Sequence, residues 1–158
     1  MSESVLATIR DLLNGRGVHF EERQHPPTAT SEESAQARGE PLGVGAKALL
    51  LRTDEAFRLF VLPADRKLDS KKVKHHLHVK NVRFATPEEL HELTRLVPGA
   101  VPPFGRPILP FDLFADMSVG VRFPRVAFNA GSLTDSIIMS AEDWLAIAKP
   151  ARFEFAKE

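Results

Sequence analysis

Lys47 is the residue whose placement most invites chemistry. It stands at the mouth of an apolar run, Ala48 to Leu51, just after Gly43 and Gly45. Lysine is among the residues least often buried. One that enters such a run snorkels to the surface or finds an anionic or carbonyl partner in a cleft. The glycines let backbone or a ligand come close. A second group, Asn129, Gly131, Ser132, Thr134, Asp135 and Ser136, forms a polar turn. It is either ordinary turn chemistry or a holder for a water or a substrate amine. The third group is His75-His76-x-His78. Metal ligation needs neutral imidazoles in an arranged surrounding, and Lys71, Lys72, Lys74 and Lys80 crowd the same segment, so no metal is expected. With Arg66, Lys67 and Arg83 those lysines outnumber Asp65 and Asp69. Such a span either contacts phosphates or is a solvated face.

Several chemistries are excluded. There is no cysteine, so thiol nucleophiles, disulfides and thiolate-bound zinc are out. No Gly-x-Ser-x-Gly elbow is present. Gly43-Val44-Gly45 is too short for a dinucleotide fingerprint, and no phosphate loop occurs. Lys+Arg and Asp+Glu both number 21, so any nucleic-acid role needs a local patch rather than net charge. The start is acidic, without the apolar core of a signal peptide, and no stretch approaches a membrane span. The expectation is a cytoplasmic chain with no membrane partner.

The elements that must position these groups follow from pattern. The 158 residues, 43% hydrophobic and 27% charged, suit one domain with a proper core. Ser4 to Arg16 reads as a helix with Val5, Ile9, Leu12 and Leu13 on one face. Val18 to Glu22 alternates as a strand, ended by Pro26-Pro27. Thr30 with Glu33 forms a capping box for a helix that stops at Arg38-Gly39. Gly43 to Arg52 and Phe57 to Pro63 read as a hairpin in the core. A helix over Lys71 to Leu77 turns Val73 and Leu77 inward, and Val79 to Ala85 is a short strand. Thr86-Pro87 opens a helix to about Arg95 or Leu96. Val97 to Pro107 holds four prolines and two glycines, which makes a stiff loop: a binding surface or a rigid connector. Ile108 to Phe114, Ser118 to Phe123, Arg125 to Asn129 and Ser136 to Ser140 are strand-like. A terminal helix runs through Trp144 and Ile147. Helices interleaved with hairpin-spaced strands predict α/β: a single domain with a curved mixed β-sheet flanked by helices.

Four segments, Thr30 to Ala35, Gly45-Ala46-Lys47-Ala48-Leu49, Pro98 to Gly105 and Phe128 to Ser132, together resemble the YbaK/EbsC family of free-standing aminoacyl-tRNA deacylases, the prolyl-tRNA synthetase associated trans-editing domains. The resemblance covers nearly the whole chain. It implies a YbaK-like fold and hydrolysis, by water attack on the 3′-end ester, of a small amino acid wrongly joined to tRNA. It implies no cofactor and no metal. The family's central strand lysine falls on Lys47, its Gly-x-x-x-Pro loop on Gly99 and Pro103, and its polar turn on Asn129, Gly131 and Ser132. On that basis Lys47, Gly99 and Ser132 take the catalytic positions. Thr30, Gly45, Ala100, Val101, Pro102, Pro103, Phe104, Asn129 and Gly131 surround the substrate, and Lys71, Lys72, Lys74 and Lys80 hold the tRNA. Some members carry a histidine in the late turn; this chain has none, which points toward the branches acting on small or hydroxylated amino acids. Gly99 is expected to resist substitution and Gly105 to tolerate alanine better. The partners implied are mischarged tRNA and a synthetase, with the chain a monomer or homodimer. The alternative reading is a non-catalytic module that binds aminoacyl-tRNA or a synthetase.

Overall fold

The computed structural model describes residues 4–158; the first part of the acidic start, residues 1–3, lies outside them. Helix α1, Val5–Gly15, begins at Ser4, whose hydroxyl accepts from the Ala7 N–H, and buries Ile9 and Leu13. Strand β1, Phe20–Gln24, leads to α2, Ser31–Arg38. The Thr30 hydroxyl accepts from the Glu33 N–H at 3.1 Å, but Glu33 returns its carboxylate to that hydroxyl. The expected box is therefore half made there. The complete one sits at Thr86 and Glu89, opening α4, Pro87–Thr94.

A 3-10 turn at Leu42–Val44 precedes β2, Ala46–Thr53, so the strand starts later than Gly43. It pairs along its length with β3, Ala56–Pro63. Next come β4, Lys67–Leu68, α3, Ser70–Leu77, and β5, Val82–Phe84. After α4 the chain forms β6, Leu113–Asp116, β7, Arg125–Asn129, β8, Asp135–Ser140, and α5, Ala141–Ala148, then β9, Ala151–Phe153, and β10, Ala156–Lys157. Two expected strands are corrected. Ile108 to Asp112 is turn, bend and loop, with strand only from Leu113, and Ser118 to Phe123 likewise holds no strand. Their apolar residues alternate because Leu109, Phe111 and Val119 anchor loops into the core.

The fold is mixed α/β. Its strands form three ladders: β5-β2-β3-β6-β9, β1-β8-β7 and β10-β4. A parallel bridge between Gly45 and Ala127 joins the first two. One face of the large sheet, with Ala46, Leu50, Leu59, Val61 and Ala115, packs on Ile9, Leu13, Phe128 and Trp144. The other, with Leu51, Phe60 and Leu62, packs on Val73 of α3 and on Phe153 and Phe155. Strand β2 thus feeds both layers, as its continuous apolar run requires.

Candidate active site

Strand β2 has β3 on one side for its whole length, but β5 covers the other only at Leu51–Thr53. The edge from Ala46 to Leu49 opens onto a cavity of about 240 Å³. Its other walls are the start of α2 with Thr28, the end of β7, and Gly99 with Val101.

Lys47 lies on this edge, half-buried, and its ammonium donates to the Arg66 carbonyl at 3.1 Å. Burial lowers its pKa, opposed by Glu32 and Asp65. Gly45 stands beside it. A Cβ there would meet the Ala64 Cβ at 2.9 Å and the Leu42 carbonyl at 3.2 Å, so only hydrogen fits where the two sheets join.

Gly99, with φ +89, lends its carbonyl to the Asn129 side-chain amide at 2.9 Å. Its N–H has no acceptor among the described residues. The rest of the proline loop turns inward. Ala100, Val101 and Phe104 are buried. Phe104 meets Phe128 edge to face at 5.5 Å, and the Pro103 carbonyl accepts from the buried Trp144 indole at 2.9 Å. Of the loop residues, Gly99, expected at a catalytic position, and Val101, expected around the substrate, line the cavity. Ala100, Pro102, Pro103 and Phe104 form the foundation under it. Gly105 is corrected too: a Cβ there would lie 2.5 Å from the Phe111 carbonyl, whereas at Gly99 the nearest atom is the end of Leu133 at 3.2 Å.

Ser132 stands apart from the cavity walls. Its hydroxyl donates to Asp135 at 2.7 Å and accepts the Asp135 and Thr134 N–H groups. That is a turn-former's work, with no free hydroxyl held toward the cavity. Gly131 also lies outside the walls. Its N–H straps the Ala100 carbonyl at 2.9 Å, and Val5 of α1 fills the space where a Cβ would go. Thr30 lines the rim while capping α2.

Sequence reasoning missed Arg38, Thr28 and Ser34. Arg38 reaches the cavity from the end of α2. Its guanidinium donates through Nε to Ser136 Oγ at 2.9 Å and through Nη2 to Asn129 Oδ1 at 3.0 Å. Burial pushes its pKa down to about 10, with Glu40 opposing. Neither Arg38 nor Lys47 is within ion-pair distance of a carboxylate among the described residues. An arginine in a last helical turn reads as a partner for the helix dipole, so only the fold reveals this one. Thr28 and Ser34 share a buried hydroxyl pair at 2.8 Å.

None of the three α3 lysines nor Lys80 lines the cavity; Lys74 and Lys80 lie by the far end of β2, and Lys71 and Lys72 beside Phe153 and Glu154. Lys74 borders a groove with Arg52, Asn81 and Arg83, and the Lys80 N–H caps Asp54. Lys72 is paired with Glu154 at 2.6 Å. His76 stacks on Phe153 at 3.8 Å and His78 takes the left-handed position ending α3, so the histidine run is built into helix packing and its cap.

The structure thus presents a small cavity of mixed polar and apolar lining, with two cations, Lys47 and Arg38, on an α/β scaffold. Residues 25–147 match the family model described as Aminoacyl-tRNA editing domain. The chain is 36% identical over 151 residues to the Multifunctional Ser/Thr-tRNA deacylase ProXp-y of Escherichia coli (strain K12), covering 92% of this chain and 89% of that one. It is 31% identical over 100 residues to a proline–tRNA ligase of Shouchella clausii (strain KSM-K16), of which it covers 17%. A crystal structure of a candidate trans-editing enzyme for prolyl tRNA synthetase superposes with TM-score 0.83 over 100% of both chains at 26% identity. The chain belongs to the aminoacyl-tRNA editing domain family, and its activity is that of a trans-editing aminoacyl-tRNA deacylase.

Proposed function

We propose that the misacylated tRNA this chain clears carries serine or threonine, and that Lys47 and Gly99 hold the ester while water cleaves it. One observation carries the reading: the Lys47 ammonium, half-buried on an open strand edge, has a carbonyl partner and no carboxylate. An unneutralised cation in a cleft is an anchor for oxygen-rich substrate, here the 3′-terminal ribose and its ester. The Gly99 N–H, without an acceptor among the described residues, donates to the oxyanion that develops when water attacks the ester carbon. The C–O ester bond then breaks, the ribose oxygen takes a proton, and the amino acid leaves as a carboxylate. The neighbouring ribose hydroxyl activates the water, so no protein base is required.

The amino acid follows from size and polarity. The 240 Å³ cavity falls below the roughly 300–1,000 Å³ common for ligand pockets. Thr28, Thr30, Ser31 and Ser34 make one wall polar, and of their hydroxyls that of Ser31 has no partner among the described residues; a site that bonds a substrate hydroxyl discriminates strongly for it. The related E. coli Ser/Thr-tRNA deacylase supports the same choice. Acting in trans, the chain meets tRNA delivered by a synthetase and works as a monomer or homodimer, without cofactor or metal. The test is single-turnover hydrolysis of one tRNA charged in turn with serine, threonine, alanine and phenylalanine. Serine and threonine are expected to be released fastest and phenylalanine slowest by at least about 100-fold. Equal rates across the set would overturn the specificity.

A further inference from the structure

Arg38 is the largest charged investment near the cavity that the proposed chemistry leaves unused. Its two donors are spent on neutral oxygens, Ser136 Oγ and Asn129 Oδ1. Ser136, itself fully buried, donates to the same Asn129 Oδ1 at 3.0 Å. Both lone pairs of that oxygen are therefore filled. The Asn129 amide has one orientation left, because a flipped amide would set N–H groups against the guanidinium. Its Nδ2 then points at the Gly99 carbonyl, 2.9 Å away. That carbonyl belongs to the Gly99–Ala100 peptide, whose N–H, on Ala100, donates to the Val97 carbonyl at 3.1 Å, while Gly131 straps the Ala100 carbonyl at 2.9 Å. The peptide that follows Gly99 is thus held at both ends, which limits how the Gly99 N–H beside it can turn.

We infer that Arg38 is a positioning residue that, through Asn129, holds the Gly99–Ala100 peptide and with it the conformation of Gly99 in the cavity wall. The catalytic consequence rests on the deacylase reading above; the positioning itself does not. An arginine suits the place because its planar fork holds two donors at a fixed spacing against two oxygens 3.0 Å apart, whereas the donors of an ammonium rotate and fix no orientation. The arrangement is also costly, since a guanidinium facing neutral acceptors loses hydration without gaining a counter-ion. A residue kept only for stability would be better apolar.

The test uses the full chain with Arg38→Met, Asn129→Ala and the double variant, read two ways. By amide NMR, Arg38→Met is expected to speed exchange of the Asn129 side-chain NH2 at least about tenfold and to move the Gly99 resonance, with Tm equal or higher. By kinetics on the preferred tRNA, kcat is expected to fall about 10- to 100-fold, the cost of a small misplacement, with KM within about threefold. The double variant should be no slower than the slower single. Arg38→Gln, which keeps one donor, should fall between and serves if Arg38→Met melts too low. An unmoved Asn129 amide and Gly99 resonance, or single effects that multiply in the double variant, would overturn the inference. A wild-type chain inactive on serine and threonine esters would sink the substrate reading, while the NMR result would still decide the positioning.

Discussion

Lys47 carries a charge that its surroundings make slightly unwelcome. Burial lowers its pKa, so the charged form costs stability below that pKa, and the cost fades as pH rises through it. Binding runs the opposite way, because the anchor is the ammonium. Affinity for a non-hydrolysable 3′-aminoacyl-adenosine analogue, measured by calorimetry, is expected to fall on the alkaline side earlier than an ordinary lysine would allow. Lys47→Met should abolish that fall along with binding, and melt no lower than wild type. The two loop glycines separate by environment. Gly99→Ala meets only the tip of Leu133 but strains a positive φ, at about 1–2 kcal/mol; it should fold and lose about 100-fold or more in turnover. Gly105→Ala drives a methyl into the Phe111 carbonyl and should chiefly lower Tm, which melting curves beside turnover of both variants would distinguish. Lys47 was legible because a lysine entering an apolar run has few explanations. Arg38 was not, because nothing in its sequence neighbourhood separates it from a solvated helix end. Ser132 shows the reverse error: a serine in a polar turn matched a motif, while its hydroxyl is consumed by Asp135.

Among the elements, those with local punctuation were legible: Thr86-Pro87 before α4, Ser140 before α5, and the two-residue turn between β2 and β3. The short pieces β4, β9 and β10 exist through tertiary pairing alone. Asp116 at the end of β6 holds that region. It is 2% exposed and accepts the Phe155 and Ala156 N–H groups at 2.7 Å each and the Ser118 N–H at 2.9 Å. Burial pushes its carboxyl up, but hydrogen bonds from Ser118, Phe155 and Ala156 outweigh that and hold it below the usual range. Its contribution is therefore present above the ordinary aspartate pKa and lost as pH falls through the lowered one. Asp116→Ala strands two buried N–H groups and should cost on the order of 3 kcal/mol, seen as a lower urea midpoint at pH 7. The difference from wild type should shrink in acid, below that lowered pKa. An unfolding free energy within about 0.5 kcal/mol of wild type, the size of a surface substitution, would contradict this account of the C-terminal strands.

Across the whole molecule, the cavity and the groove beside Lys74 and Lys80 sit at opposite ends of β2, Lys47 to Thr53, about 20 Å at roughly 3.3 Å per residue. In a neutral chain with 21 charges of each sign, such a local basic groove is the kind of surface that tRNA phosphates would need. Lys71→Glu with Lys74→Glu should weaken tRNA binding and flatten its salt dependence by about one log–log unit or less per contact, while the short adenosine analogue binds as before. The central claim is that Lys47 anchors the ester in the β2 cavity, and one comparison tests it most directly. Single-turnover deacylation of seryl-tRNA is measured for wild type, Lys47→Ala and Lys47→Arg, with melting curves confirming the fold. The expected result is loss of turnover in both variants, arginine failing because its planar fork does not fit where a compact ammonium sat. Near-wild-type turnover by folded Lys47→Ala would contradict the account.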